Sequence, residues 1–342
     1  LGLLVHFTQE GAFAVGQSPF DFALGAVLDE GAWRLEEKTL TWQTADESIF
    51  CAGMTAVYQV ETLSADEMVF VQEGDECPPR AWENGEAMPP LFRTDLSVPA
   101  NVEVRGISVD GQAMMLHCEG EGSPTVILES GLYDLWTVWW KVQPVIADST
   151  RVCAYTRPLA EEGELRTAPE LADALDDMLS ASGLEPPYVL VAHSTGGFVA
   201  RIYAGEHPDK VVGLVLVDSS HEDELEHMAA ILPEDIAEEM AAFQNSAPDG
   251  IDLVASGEAA RAVSDLGDLP LIVITAAGAA NSDLPPESQE QVDEIWLSLQ
   301  AKLAGLSSAG KQVIAEGSGH NVQLDQPQIV IDSIREIVEA VR

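Results

Sequence analysis

Apolar and polar positions along the chain follow two different periods, and the change falls near residue 100. Up to about residue 77, short runs rich in β-formers recur at 3–7, 12–15, 33–35, 40–43, 57–61 and 68–72. Gly, Asp and Glu punctuate them, as in Glu10-Gly11 and Asp29-Glu30-Gly31, and no helical period competes. Strands at this spacing predict an antiparallel meander or small barrel over 1–77. Prolines 78, 79, 89, 90 and 99, with Asn84 and Gly85 among charges, then mark 78–100 as a linker.

From 101 to 342 the pattern alternates between strand and helix. Runs at 102–109 and 112–118 read as a hairpin around Asp110-Gly111. Further apolar runs fall at 125–128, 151–155, 189–192, 212–217, 271–275 and 312–315. Amphipathic helices separate them, as at 169–182 and 328–341. This alternation predicts an α/β domain with an eight-stranded, mostly parallel sheet covered on both faces. Residues 219–268, between the sixth and seventh strands, add helical stretches at 222–228 and 234–243. Met228, Ile231, Leu232, Ile236, Met240 and Phe243 supply their apolar face.

The most informative segment is Tyr188-Val-Leu-Val-Ala-His-Ser194-Thr-Gly-Gly197. An apolar strand runs into a small-x-Ser-x-Gly turn and then a helix. A serine on such a strained turn stands proud of the sheet as a nucleophile. Ala192 and Gly196 are small because strand and helix approach closely there. The Thr195 N–H faces the developing oxyanion at the helix N-terminus. Together with Ala200-Arg201-Ile-Tyr203-Ala and Val211-Val-Gly-Leu-Val-Leu-Val-Asp218, this segment resembles the α/β-hydrolase superfamily. The resemblance covers 101–342 and is nearest to small-lidded serine esterases and peptidase-like members. It implies a lid at about 219–268.

The same resemblance implies a second oxyanion donor after the third strand. In Leu128-Glu-Ser-Gly131-Leu132 that donor is the Leu132 N–H. It also implies that His320, in Gly317-Ser-Gly-His320-Asn, is the general base. The other histidines lack such a loop; His193 beside the nucleophile either faces away or lines the pocket. Trp136 and Trp139, close behind the oxyanion loop, are candidate pocket residues, although their helical spacing also suits a core. One departure stands out. Tyr155-Thr156-Arg157-Pro158-Leu159 replaces the superfamily's usual Asp-Arg-x-Gly-x-Gly after the fourth strand, so a different loop shape and pocket wall are expected there.

Two residues compete for the acid that orients His320. Asp283 follows the seventh strand, the commoner superfamily position. Asp218 ends the sixth strand, 24 residues after Ser194. A strand tip holds a carboxylate more rigidly than a long loop, so Asp218 is the expected acid and Asp283 the alternative.

The N-terminal runs have a looser resemblance of their own. Gly31-Ala-Trp33, Leu40-Thr-Trp42, Cys51, Tyr58 and Asp75-Glu-Cys77-Pro-Pro-Arg80 resemble lipocalin-like β-modules. A structural role or binding of a small apolar ligand follows from that likeness.

Composition narrows the partners. Lys and Arg number 16 against 58 Asp and Glu, a net charge of −42, with only five lysines. Such a surface repels nucleic acid and anionic membranes, and suits a saline medium where salt screens its repulsion. No apolar run is long enough to span a bilayer. The four cysteines form no CxxC or Cys/His cluster, so no metal site is expected. A Cys51–Cys77 bridge is expected instead, with Cys118–Cys153 as a possible second, and hence an extracytoplasmic or secreted protein. The chain opens without Met or a charged, apolar leader, so any secretion signal would lie upstream.

The reading that follows is a carboxylic ester hydrolase acting on a small-molecule ester without a cofactor. A peptidase or amidase on the same scaffold, and a non-catalytic ligand-binding protein, are the alternatives.

Overall fold

The computed structural model describes six strands within residues 4–75 and, except for 110–111, 158–164, 247–249 and 278–285, residues 102–342. The chain divides into two compact units, Leu1–Ala100 and Asn101–Arg342.

In the first unit the described strands are β1 (Leu4–Phe7), β2 (Ala12–Gly16), β3 (Asp29–Glu36), β4 (Thr39–Thr44), β5 (Thr55–Leu63) and β6 (Met68–Asp75). They pair antiparallel in chain order, as a meander does. β3 begins earlier than its apolar run because Asp29 and Glu30 pair with Val15 and Ala14 of β2. Cys51, Cys77 and the segment 78–100 lie outside the described residues.

The second unit contains β7 (Val102–Val109), β8 (Gln112–Glu119), β9 (Thr125–Glu129), β10 (Val152–Thr156), β11 (Tyr188–His193), β12 (Val211–Val217), β13 (Leu271–Ala277) and β14 (Gly310–Glu316). Across the sheet they run β14-β13-β12-β11-β9-β10-β8-β7. β8 is antiparallel to both its neighbours, and the other pairings are parallel. This is the eight-stranded sheet of the α/β-hydrolase fold.

Every residue of β9 and β11 is buried, and their interiors, Val126–Leu128 and Val189–Ala192, are apolar throughout because helices cover both faces. On one face lies α2 (Ala168–Ser182), after a short α1 (Gln143–Ala147). Its start is fixed by Thr167, whose N–H donates to the Glu170 carboxylate at 2.7 Å, and its end by Gly183 at φ 71°. Between these stops Leu171, Leu175, Met178 and Leu179 are buried. Each such side chain stabilises the fold by roughly 1.5–3 kcal/mol. On β12, a Cβ at Gly213 would lie 2.2 Å from Ile337 Cγ2, so the C-terminal helix packs directly on the strand there.

Cys118 and Cys153 are register partners across the antiparallel β8–β10 pair and form a disulfide with Cα atoms 4.1 Å apart. The bridge spans the seam where the opening hairpin joins the parallel part of the sheet.

β9 is flanked by β10 on one side and β11 on the other, so the chain winds away from it in both directions. Loops leaving the carboxyl ends of strands at such a switch point splay apart and open a crevice. Ser130, Ser194 and Asp218 all follow the carboxyl ends of strands in this region.

Candidate active site

The turn between β11 and α3 (Gly196–Glu206) holds Ser194 at φ 54°, a left-handed conformation that a non-glycine residue adopts only under constraint. The constraint is visible. Ser194 N–H donates to the Val217 carbonyl at 3.1 Å, and its own carbonyl accepts from the amides of Gly197 and Ser220, each at 3.0 Å. The turn also needs its glycines. A Cβ at Gly196 would stand 2.5 Å from the Ser130 carbonyl oxygen, and one at Gly197 would stand 2.6 Å from Ser219.

Asp218, one residue past β12, is likewise strained, at φ 42°. Its N–H donates to the Ile274 carbonyl at 2.7 Å. The carboxylate is almost completely buried. Oδ1 accepts from the Ala276 amide at 2.9 Å and from the Trp296 indole N–H at 2.7 Å. Oδ2 lies 2.7 Å from His320 Nδ1.

His320 follows a loop that leaves β14 through Gly317 at φ 75°. Gly317 N–H donates to Ala277 at 3.1 Å, and Gly319 N–H donates to the Asp325 carboxylate at 2.9 Å. His320 Nε2 then lies 3.0 Å from Ser194 Oγ. Ser194, His320 and Asp218 thus form one hydrogen-bonded chain. Burial works to lower the His320 pKa, but the hydrogen bond and charge of Asp218 outweigh it and hold the imidazole above its ordinary value.

The residues expected to donate to an oxyanion sit against this chain. A Cβ on Gly131 would come within 3.1 Å of Ser194 Cβ, so the loop carrying Leu132 touches the serine. Leu132 and Thr195 both line the cavity with Ser194. The loop is braced from behind. Trp139 Nε1 donates to Ser130 Oγ at 3.2 Å, and Arg157 donates to the Ser130 carbonyl at 2.8 Å, to the Gly131 carbonyl, and to the Glu129 carboxylate. Glu129 is so enclosed that burial pushes its carboxyl up to about 7 even against that guanidinium.

Three expected substrate-binding residues are absent from the cavity wall. Trp136 is buried and packs on His117, with ring centroids 4.2 Å apart. Trp139 is fully buried. Both belong to the core, as their helical spacing allowed, and Trp139 serves the site only through Ser130. His193 is buried beside the serine, its Nε2 3.1 Å from the His320 carbonyl and its ring tilted against that of His320 with centroids 4.6 Å apart. It therefore supports the His320 loop. The alternative acid Asp283 lies outside the described residues.

Above the serine, α4 (Glu224–Ala229), α5 (Glu234–Asn245) and α6 (Leu253–Arg261) follow β12 as a lid. Together with Ser194 and His320 they enclose a cavity of about 1080 Å³. Phe198, Leu225, Met228, Met240 and Phe243 give it an apolar wall. Glu224 joins that wall beside Ser194, Asp218 and His320, and burial pushes its carboxyl up to about 7. Sequence reasoning missed Trp296, Arg157 and Glu224 as parts of the site. Arg157 alone carried a signal, as the basic residue of a departed motif.

Among the described residues no group of three or more His, Cys, Asp or Glu is placed to hold a metal ion. No described helix is long and apolar enough to cross a membrane.

Comparison with known proteins gives the same geometry a context. A family model described as the alpha/beta hydrolase fold matches residues 124–251. YqjL of Bacillus subtilis is 24% identical over 229 residues, covering 65% of this chain and 87% of that protein. The pimeloyl-[acyl-carrier protein] methyl ester esterase of Chromobacterium violaceum is 35% identical over 104 residues, 30% of this chain and 39% of that protein. A lipase-assigned structure from Acinetobacter baumannii superposes with a TM-score of 0.50 at 17% identity, covering 71% of this chain and 92% of its own. That likeness is one of fold.

Proposed function

The chain has the α/β-hydrolase fold, and on that premise we propose that it is a serine hydrolase cleaving carboxylic esters of small molecules. The observation that supports this reading is the hydrogen-bonded chain Ser194 Oγ–His320 Nε2, His320 Nδ1–Asp218 Oδ2, at 3.0 and 2.7 Å, opening on an apolar cavity.

In this reading Ser194 Oγ attacks the ester carbonyl while His320 Nε2 takes its proton. Asp218 keeps Nδ1 protonated and balances the imidazolium charge. The negative charge that develops on the carbonyl oxygen is met by the Leu132 and Thr195 N–H groups. His320 then returns the proton to the departing alkoxide and an alcohol leaves. Water enters, gives a proton to His320 and attacks the acyl-serine; as the tetrahedral adduct collapses, His320 returns that proton to Ser194 Oγ and the acid leaves. No step calls for a metal or an organic cofactor.

Ring-opening of epoxides on this fold uses a carboxylate nucleophile, and a serine stands at that position here. Ester cleavage is also the named activity of the Chromobacterium violaceum relative. We place the protein outside the cytoplasm, on the strength of the Cys118–Cys153 bridge.

The test is a panel of p-nitrophenyl esters of rising acyl length run beside aminoacyl anilides. Turnover of the esters with little on the anilides is the expected result. Anilide cleavage at comparable kcat/KM would make the protein an amidase or peptidase instead.

A further inference from the structure

The Asp218 carboxylate is held by a residue far from every motif of the site. The helix α7 (Pro286–Ala304) leads from β13 toward β14 and brings Trp296 against the tip of β12. Asp218 Oδ2 is committed to His320 at 2.7 Å. Oδ1 has two donors, the Ala276 amide at 2.9 Å and the Trp296 indole N–H at 2.7 Å. The amide is part of the β13 backbone and is fixed by the sheet. The indole is the one side-chain donor recorded for Oδ1 among the described residues, and it makes the shorter of the two bonds.

A buried carboxylate can rotate about its Cβ–Cγ bond unless both oxygens are engaged. Here rotation would take Oδ2 away from Nδ1, and the backbone of Asp218 is already in a strained left-handed conformation. The Trp296 ring also lines the cavity that contains Ser194 and His320. One residue therefore touches both the acid and the space where substrate would lie.

We propose that Trp296 is a positioning residue, its indole N–H locking the Asp218 carboxylate in the rotamer that points Oδ2 at His320, while its ring forms a wall of the substrate cavity. The kinetic part of this assignment rests on the serine-hydrolase reading; the hydrogen bond itself does not. Other charges also act on His320. Glu224 and Asp134 both raise its pKa, so a change in pH profile alone would not report on Trp296.

The variant Trp296→Phe keeps an aromatic ring and removes the donor. Losing a charge-assisted hydrogen bond that matters in the transition state is expected to lower kcat by about tenfold or more. KM for a short ester should change by less than about twofold, and the melting temperature should hold. Trp296→His, which retains a ring N–H, is expected to recover part of the loss. It also keeps the test open if the Phe variant does not fold.

A second measurement needs no activity. In protein labelled with 15N-tryptophan, the Trp296 indole cross-peak, identified by its absence from a Trp296 variant, should lie downfield of the other indoles. It should move upfield in Asp218→Ala. Wild-type kcat in Trp296→Phe, or kcat, KM and melting temperature all deteriorating together, would overturn the proposal. So would an indole resonance indifferent to Asp218→Ala. Should Ser194→Ala keep full turnover, the hydrolase reading fails, and the indole resonance still decides whether the clamp exists.

Discussion

Arg201, on α3 behind Ser194, donates two hydrogen bonds to Glu222 just after β12, at 2.7 and 3.2 Å. A third goes to the Ala260 carbonyl in α6 at 3.1 Å. The guanidinium is fully buried. Burial works to raise the Glu222 pKa, but the Arg201 hydrogen bond and charge prevail and hold it below the ordinary range.

Removing one partner of a buried ion pair strands the other, so Arg201→Met should cost about 3–5 kcal/mol. Because Arg201 ties the helices after β12 to α3, the surviving protein should show raised KM and greater proteolytic nicking within 219–268. The double variant Arg201→Met with Glu222→Gln should regain part of the stability. Thermal unfolding and limited proteolysis check both points, and an unaltered lid would contradict this role.

The Cys118–Cys153 bridge joins positions 35 residues apart, and in the chain-entropy model it contributes about 3–4 kcal/mol. Changing both cysteines to alanine should lower the melting temperature by roughly 10 °C. It should leave kcat nearly unchanged, since the bridge lies between β8 and β10, away from the serine. Calorimetry beside an ester assay separates the two effects.

His320 predicts opposite pH trends for activity and for stability. Its folded pKa is raised above 6.5, chiefly by Asp218 acting against burial. If His320 is the general base, as proposed, it must be neutral to act, so kcat/KM should rise with pH through a pKa above 6.5. A raised pKa also means that the charged imidazole stabilises the fold. That contribution is complete below about pH 6.5, the unfolded value, and is lost as pH climbs through the folded pKa. The stability advantage of wild type over His320→Ala should therefore shrink from pH 5.5 to pH 8.5. In Asp218→Asn the charge is removed and the hydrogen bond no longer favours the imidazolium, so the acid limb should move to lower pH and kcat should fall by orders of magnitude. Near-normal kcat in Asp218→Asn with a crippled Asp283→Asn would assign the acid to Asp283.

The net charge of −42 makes a prediction independent of the site. Raising NaCl from about 0.1 to about 1 M shortens the screening length from about 10 to about 3 Å. Repulsion among surface carboxylates then weakens, and the melting temperature should rise. A flat melting temperature across this range would remove the case for salt adaptation.

Much of the second unit is legible in the sequence because its strands are buried on both faces. Val189–Ala192 in β11 and the apolar run of β12 had no polar alternation to confuse them. The serine turn was legible through its small neighbours, whose packing needs are local. Trp136 and Trp139 were ambiguous for a physical reason: aromatic residues at helical spacing serve a core and a pocket equally well, and only tertiary packing decides. Arg157 was read as a broken motif, but its guanidinium reaches the Ser130 and Gly131 carbonyls from a neighbouring strand end. Trp296 gave no signal at all. It acts on Asp218 across 78 residues, and no short-range pattern encodes such a meeting.

The most direct test of the central claim is covalent labelling with a fluorophosphonate probe, mapped by peptide mass spectrometry. The hydrogen-bonded chain from Ser194 through His320 to Asp218 predicts stoichiometric labelling of wild type at Ser194, none in Ser194→Ala, and labelling slowed by orders of magnitude in His320→Ala. Wild type that stays unlabelled while folded, or a label recovered on another serine, would contradict the account.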